Sequence, residues 1–405
     1  MKNIFIVCLL LCSFCSRKTV VPGGDQGAKD HPVQYIIVNG IEPTPQAFEE
    51  IVGAFGANSD HRTIKIGAGF IISYLNMTPD AAADRLKTFL SLSVQYDVPI
   101  VIQLDGEQWW EARPDLWNWW DPNMPGYNQE NRKNVEWTGW VPDSAVKIGW
   151  RNWGRQIRVL PMPNLMSPVY RDACHKEMDR LVPIIASWWT ALPEGKKDLL
   201  AAVKVGWESA IGVNNWYYPN GNALLNQPES GDPQYGLKPG LLPDRGVEAI
   251  GYAATKTLGL ADSGALKEAY LTEVVRRHLE DLSKRLVDGG IPRERIFTHC
   301  GGWSAGESLY SAAVNKYSCP GWSFYQYASD PAQDTTAMHA LAKSDAPYWA
   351  AVEWLLQGER PAQEWEAAIR HTLADHHARF MNIYNWSGIK GVPAAIQAIG
   401  GVVGN

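Results

Sequence analysis

The sequence predicts an α/β protein whose eight parallel strands close into a (β/α)8 barrel. Three observations predict it: short β-branched or aromatic runs alternate with helical patterns, eight such pairs can be counted in 405 residues, and the first strand is not followed by a Gly-rich phosphate turn. Residues 39–44 read Asn-Gly-Ile-Glu-Pro-Thr, which argues against an open doubly wound sheet.

Strands are expected at 35–38, 64–72, 99–104, 202–208, 295–299, 322–327, 348–353 and 380–384. Helical patterns follow them at about 45–55, 78–94, 170–190, 264–288, 304–314, 334–342, 362–377 and 392–399. A ninth extended run, 156–160, has no helix between it and the third strand, so it is assigned to a hairpin or extended piece inside a long excursion, 105–168. That excursion and a second loop, 210–262, lack regularly spaced strands, so a single domain over 34–405 is expected, with long loops at the carboxyl face of the strands.

Ahead of the domain, Lys2 precedes an apolar run from Ile4 to Leu11, and Ser16, Arg17 and Lys18 close the segment. Residues 1–15 therefore read as a signal segment of an exported chain, periplasmic or at the cell surface. Cys12 and Cys15 stand where a bacterial lipoprotein signal carries its lipidated cysteine, so membrane contact is expected only through such an anchor. Residues 16–33, rich in Gly, Lys, Asp and Pro, read as a flexible tether. Cys174, Cys300 and Cys319 are left for the mature chain, as buried thiols or with the last two bridged.

With 43 acidic residues against 37 basic ones and no long basic run, nucleic-acid binding is not expected. The aromatic content is high, 19 Trp and 16 Tyr. Rings in such number need a reason beyond core filling.

Two strands end in glutamate: Ala-Ala-Val-Lys-Val-Gly-Trp-Glu at Glu208, the fourth, and Tyr-Trp-Ala-Ala-Val-Glu at Glu353, the seventh. A carboxylate closing an apolar strand is costly to bury alone, so it implies a partner or a task. Two carboxylates across a barrel mouth suit glycosidic bond cleavage, where one donates a proton to the leaving oxygen and the other attacks the anomeric carbon or activates water. On these residues the sequence resembles the retaining glycoside hydrolases of the large (β/α)8-barrel clan that includes β-galactosidases, cellulases and β-mannanases. The resemblance implies a carbohydrate substrate, with Glu208 as acid/base and Glu353 as nucleophile. The clan places Asn immediately before its acid/base glutamate; this chain has Trp207 there, and Asn214 or Asn215 is expected to take over the contact to the sugar 2-hydroxyl.

Segment 105–153 opens Asp-Gly-Glu-Gln-Trp-Trp and contains nine Trp, which are expected partly to stack on sugar faces and partly to form a satellite core. Expected substrate contacts are Asp105, Glu107, Trp109, Trp110, Trp207, Asn214, Asn215, His299, Tyr325 and Tyr327 on the sixth strand, Asn382 and Trp386. A tyrosine of the sixth strand is expected to donate to the nucleophile and keep it ionised. Asp105 or Glu107 would instead serve an inverting hydrolase, and a non-catalytic glycan-binding surface lipoprotein on the same scaffold would keep the rings while leaving a glutamate salt-bridged. Gly302-Trp303-Ser304-Ala305-Gly306 matches a nucleophile elbow, but Ser304 reads more naturally as a helix cap, as does Glu307. Neither His-Glu-x-x-His nor a metal-ligand cysteine spacing occurs, so no metal and no cofactor is expected.

Overall fold

A computed structural model describes residues 32–59, 62–153, 156–212, 215–217, 248–302 and 306–404, with backbone only at 152, 156, 215 and 216. The signal segment, nearly all of the tether, Asn214 and Ser304 lie outside the described residues.

Eight strands form the barrel: β1 Gln34–Val38, β2 Ile64–Ser73, β3 Ile100–Asp105, β4 Leu200–Ser209, β5 Ile296–Cys300, β6 Gly321–Phe324, β7 Ala350–Trp354 and β8 Phe380–Ile383. Each pairs in parallel with its sequence neighbours, and β1 pairs with β8, so the sheet closes. The expected (β/α)8 architecture is the observed one. Closure leaves no edge strand, and the near-continuous burial of β1, β3, β5 and β7 is what a sheet covered on both faces requires.

Helices start where the sequence punctuates. Thr44, Thr78 and Ser167 each precede a proline and accept a backbone N–H from the first turn of α1 Pro45–Phe55, α2 Pro79–Tyr96 and α3 Pro168–Ala191. The fourth crossover is α4 Glu268–Asp288, followed after β6 by α5 Thr335–Leu341, after β7 by α6 Ala362–Arg370 and after β8 by α7 Pro393–Val403. Three expectations change. The helix expected at 304–314 is a 3₁₀ segment, Ser308–Ala313, and Glu307 ahead of it makes no side-chain capping bond. The pattern at 362–377 passes from α6 into a π-helical stretch, His371–Asp375. Strand β6 stops at Phe324, so Tyr325 and Tyr327 lie in the turn beyond it.

Two apolar layers result. Inside the barrel, Tyr35, Ile37, Val101, Phe297, Val352 and Phe380 pack together, with the Phe297 and Phe380 rings 4.9 Å apart across the lumen. A larger layer lies between the sheet and the helices. Cys174, Cys300 and Cys319 are buried free thiols, so the last two are not bridged. Among the described residues no helix is long and apolar enough to cross a membrane.

The excursion after β3 contains the expected hairpin, Gly149–Asn152 against Gln156–Val159, and a third short strand, Asn215–Trp216, pairs with it from the second loop. Much of its tryptophan is satellite core: Trp110 packs edge-on against Tyr170, and Trp117, Trp119 and Trp120 contact one another. Glu136 fastens the two loops, its buried carboxylate accepting the N–H groups of Ala253 and Ala254 at 3.1 and 3.2 Å. Burial outweighs those bonds and pushes its pKa up to about 8.

The folded protein thus holds a proton on Glu136 up to about pH 8, whereas an unfolded chain releases it near 4.5. This group's contribution to stability is full below the unfolded value and is lost as pH rises through the folded one. Glu136→Gln keeps an acceptor and removes the charge. Urea unfolding between pH 5 and 8 should lose up to about 1.4 kcal/mol per pH unit of downward slope in the variant; parallel profiles for the two proteins would contradict the assignment.

Candidate active site

The carboxyl ends of β4 and β7 both depart from regular strand geometry. On β4, Gly206 has φ +79° and Glu208 φ +48°, and the register with β5 shifts between Val205 and Ser209. On β7 the register with β6 shifts between Ala351 and Glu353. Bulges of this kind re-aim side chains at barrel rims. Here Val352 belongs to the lumen layer and the very next residue, Glu353, also faces the lumen, as its contacts with β5 and with the turn after β6 show.

The two glutamates, 4% and 3% exposed, meet one cluster of side chains. Glu208 Oε1 accepts the Ser323 hydroxyl at 3.0 Å, and Oε2 accepts the Trp153 indole N–H at 2.9 Å. Ser323 Oγ is 3.1 Å from His299 Nε2, which lies 4.0 Å from Glu353 Oε2. Two hydrogen-bond contacts, through Ser323 and His299, thus lead from Glu208 to within 4.0 Å of Glu353 across the top of the lumen. The Tyr325 hydroxyl donates to Glu353 Oε1.

Beneath them Lys204 reaches across the barrel from β4 and donates to the Val352 carbonyl at 2.8 Å; Asn382, from β8, donates to the same oxygen at 3.0 Å. Burial lowers the Lys204 pKa to about 7 against the pull of Glu353 and Glu208. Glu353 is raised by burial, with Lys204, Tyr325 and the Trp207 side chain opposing. Burial, followed by the Lys204 charge, pushes His299 well below the ordinary imidazole value, so it is neutral. The Tyr325 phenol is raised by burial and then by both carboxylates, so it is a donor at every working pH.

Beside Glu208 stands a column of rings. Trp153 stacks on Trp207, centroids 5.3 Å apart and planes 26° from parallel, and the Arg151 guanidinium lies 4.7 Å from Trp153 and 5.1 Å from Trp109. Arg151 is itself buried and donates to the Gln108 carbonyl at 3.1 Å, so it braces the rings from behind.

The structure brings together Glu208, Glu353, Trp109, Trp207, His299 and Tyr325 from the expected set. Tyr327 contacts the core near Gln326 instead, its hydroxyl 3.3 Å from the Gln326 amide nitrogen. Asn215 contributes described backbone alone. Five expected contacts are engaged elsewhere. Asp105 is wholly buried, accepts Ser73 Oγ at 2.7 Å and the N–H groups of Glu107 and Gln108 at 3.0 Å, and has its pKa pushed up by burial to about 6. Glu107 is buried against β4 and α4, Trp110 is 1% exposed in the satellite core, and Asn382 is sealed inside the lumen. Trp386 turns to α1, where its indole donates to Glu50 and its ring meets Phe55. Asp105 and Glu107, either of which would serve an inverting hydrolase, are thus both buried and hydrogen-bonded within the fold.

Lys204, Ser323, Trp153 and Tyr384 complete the cluster. Tyr384 is raised by burial and by the Glu353 charge and, less, by Glu208, which puts it beside the pair. Lys204 had a legible signal: a cation between Val203 and Val205 in an apolar strand alternates onto the lumen side. Ser323 had none, because a serine in a short strand is unremarkable. Among the described residues no group of three or more His, Cys, Asp or Glu is arranged to hold a metal.

No family model and no curated protein matches the chain. Solved structures similar to it include an exo-β-1,4-mannosidase from Opitutaceae bacterium strain TAV5 (10% identity over 87% of this chain and 52% of that one, TM-score 0.40). Others are an endo-β-mannanase/endo-β-glucanase from Prevotella bryantii (11%, 93% and 49%, TM-score 0.43) and the catalytic domain of a Bacillus sp. JAMB-750 endo-β-1,4-mannanase (9%, 92% and 86%, TM-score 0.42). The chain spans about half the length of the first two. At such identities and TM-scores none of these likenesses assigns a residue or a substrate.

Lys204→Met tests the charge layer directly. Without the cation, burial acts on Glu353 with less opposition, and its carboxyl should titrate at least about one unit higher in ¹³C-carboxyl NMR. An unchanged or lower value would show that Lys204 does not support the Glu353 anion.

Proposed function

We propose that the protein is a retaining glycoside hydrolase with Glu208 as acid/base and Glu353 as nucleophile. The observation that supports it is the pair of buried carboxylates that meet one cluster of side chains, Ser323 and His299 lying between them, at the carboxyl mouth of a barrel. Their surroundings differ in the groups they supply: a lysine and a phenol oppose the upward push of burial on Glu353, whereas Glu208 meets the Ser323 hydroxyl and the Trp153 indole. Glu353 has a cation beneath it and a phenol donor on it, both of which favour the anion that attacks a sugar's anomeric carbon. Glu208 sits under the ring column, on the side where a departing sugar would lie if Glu208 protonates its oxygen.

In this reading the Glu208 proton passes to the glycosidic oxygen as the bond to the anomeric carbon breaks, and a Glu353 oxygen forms an ester to that carbon. Water then attacks the same carbon, Glu208 takes its proton, and Glu353 leaves as the carboxylate. Retention requires carboxyl groups roughly 5 to 5.5 Å apart. Export with amino-terminal anchoring is part of the same proposal, on the apolar run from Ile4 to Leu11 and the cysteines that follow it.

The test is a panel of 2,4-dinitrophenyl and 4-methylumbelliferyl glycosides of gluco, galacto, manno, xylo and arabino configuration in both anomers. Turnover of one configuration is expected, with ¹H NMR showing the first-formed sugar in the substrate's anomeric form and Glu353→Gln at least about 10³-fold slower. An inverted first product rejects the retaining assignment. Binding without turnover across this panel and a panel of natural glycans favours a glycan-binding protein. In Tyr325→Phe the lost donor should raise the Glu353 pKa, so the acid limb of the kcat/KM profile should move to higher pH by about one unit; a limb that stays or moves lower would separate Tyr325 from the nucleophile.

A further inference from the structure

Glu208 holds an unusual backbone conformation, and the groups that hold it come from the end of β3. A non-glycine residue at φ +48° is strained and persists only when its surroundings over-determine it. Gln103 Nε2 donates to the Gly206 carbonyl at 3.2 Å, and Gln108 Nε2 donates to the Trp207 carbonyl. One oxygen of Glu107 accepts both the Trp207 N–H at 2.9 Å and the Ser209 hydroxyl, the residues on either side of Glu208. Its other oxygen lies 3.3 Å from His278 Nε2 on α4.

Glu107 therefore lies against His278 of α4 on one side and grips the backbone around Glu208 on the other. The space has no slack: a Cβ on Gly206 would stand 3.3 Å from Glu107 Oε1 and 2.2 Å from Ser209 Oγ. Burial raises the Glu107 carboxyl, but His278, Ser209 and the Trp207 N–H outweigh it and leave it below the ordinary value, so the grip is an anion at working pH.

We propose that Glu107 is a positioning residue for Glu208: its buried carboxylate, bracketed by His278, clamps residues 207–209 so that the Glu208 side chain meets Ser323 and Trp153. The assignment of acid/base function to Glu208 is taken from the reading above, whereas the clamp is a property of the fold. An anion is required because a neutral amide in its place accepts the same two donors more weakly and brings an N–H₂ group toward them.

The experiment has two arms. In the first, ¹⁵N-Trp-labelled protein, with the Trp153 indole resonance assigned by Trp153→Phe, reports the Glu208 position without any substrate. Glu107→Ala should move that resonance to where Glu208→Ala places it, and Glu107→Gln should move it less; a resonance unmoved in Glu107→Ala overturns the proposal. Should Glu107→Ala fail to fold, Glu107→Gln and Ser209→Ala carry the same comparison. In the second arm, kcat/KM is compared for the dinitrophenyl leaving group, which needs no proton, and the methylumbelliferyl one, which does, in the active configuration. Glu107→Ala should lose at least about 10²-fold on the second and less than about threefold on the first, with Glu107→Gln recovering part of the loss. Equal losses on both, while Glu208→Gln shows the split, overturn the clamp and leave the acid/base reading standing. Absence of the split in Glu208→Gln rejects that reading, and the indole arm alone then decides the clamp.

Discussion

A carboxylate removed from water must be answered by charge or by directed donors, and this constraint shapes the upper half of the barrel. Two glutamates end apolar strands and are almost wholly covered. The answer to Glu353 is built across the lumen, by a lysine from the opposite wall and a phenol from the turn after β6. For Glu208 it is a serine hydroxyl from β6 and an indole N–H from the excursion. The polar middle of the barrel follows from this: Lys204, His299 and Asn382 occupy positions that aliphatic side chains would fill in a purely structural lumen.

Charge alone does not direct a side chain; backbone geometry does. A strand that kept perfect alternation could not carry Val352 and then Glu353 into the same lumen, and a regular strand would not give Glu208 its φ of +48°. The bulges at the ends of β4 and β7 solve this by changing the register with their neighbours after the core positions have been fixed. Bulges cost ladder hydrogen bonds, and at β4 the missing partners come from Gln103, Glu107 and Gln108. Strand β3 thereby acts as a template for β4, and the acidic residues at its end have a structural task that competes with any contact to a ligand.

The sequence made the barrel legible because its signals are periodic: eight apolar runs, eight helical patterns and the Thr-Pro or Ser-Pro starts at 44, 78 and 167. Glu208 and Glu353 were legible because a charge at the end of an apolar run stands out. Asp105 and Glu107 stand out in the same way yet are occupied within the fold, because a sequence does not reveal which carboxylate a neighbouring strand engages. Trp110 and Trp386 show the same limit for rings, since a tryptophan that packs on Tyr170 or α1 has no local mark distinguishing it from Trp153 or Trp207. The helix expected over 304–314 is a 3₁₀ segment held to neighbouring elements, Ser308 bonding Glu268 and Tyr310 bonding Asp334, so tertiary partners override a marginal helical pattern there.

The Trp-rich excursion joins the two levels. It is fastened at its base by its own satellite core and by Glu136, which accepts N–H groups of the helix at 252–257, and at its tip it delivers Trp153 to Glu208 with Arg151 behind the ring. A guanidinium held between two indoles is desolvated, and its pKa falls to about 10, yet it stays charged at neutral pH and feels Asp105, Glu111, Glu107 and Glu208. One buried cation thus offsets several acidic groups along β3 and β4 while stiffening the rings that cover them. The same contacts that make the carboxylates tolerable in the fold also hold the side chains around them in place, so under the proposed reading stability and recognition at this mouth would be set by one set of side chains.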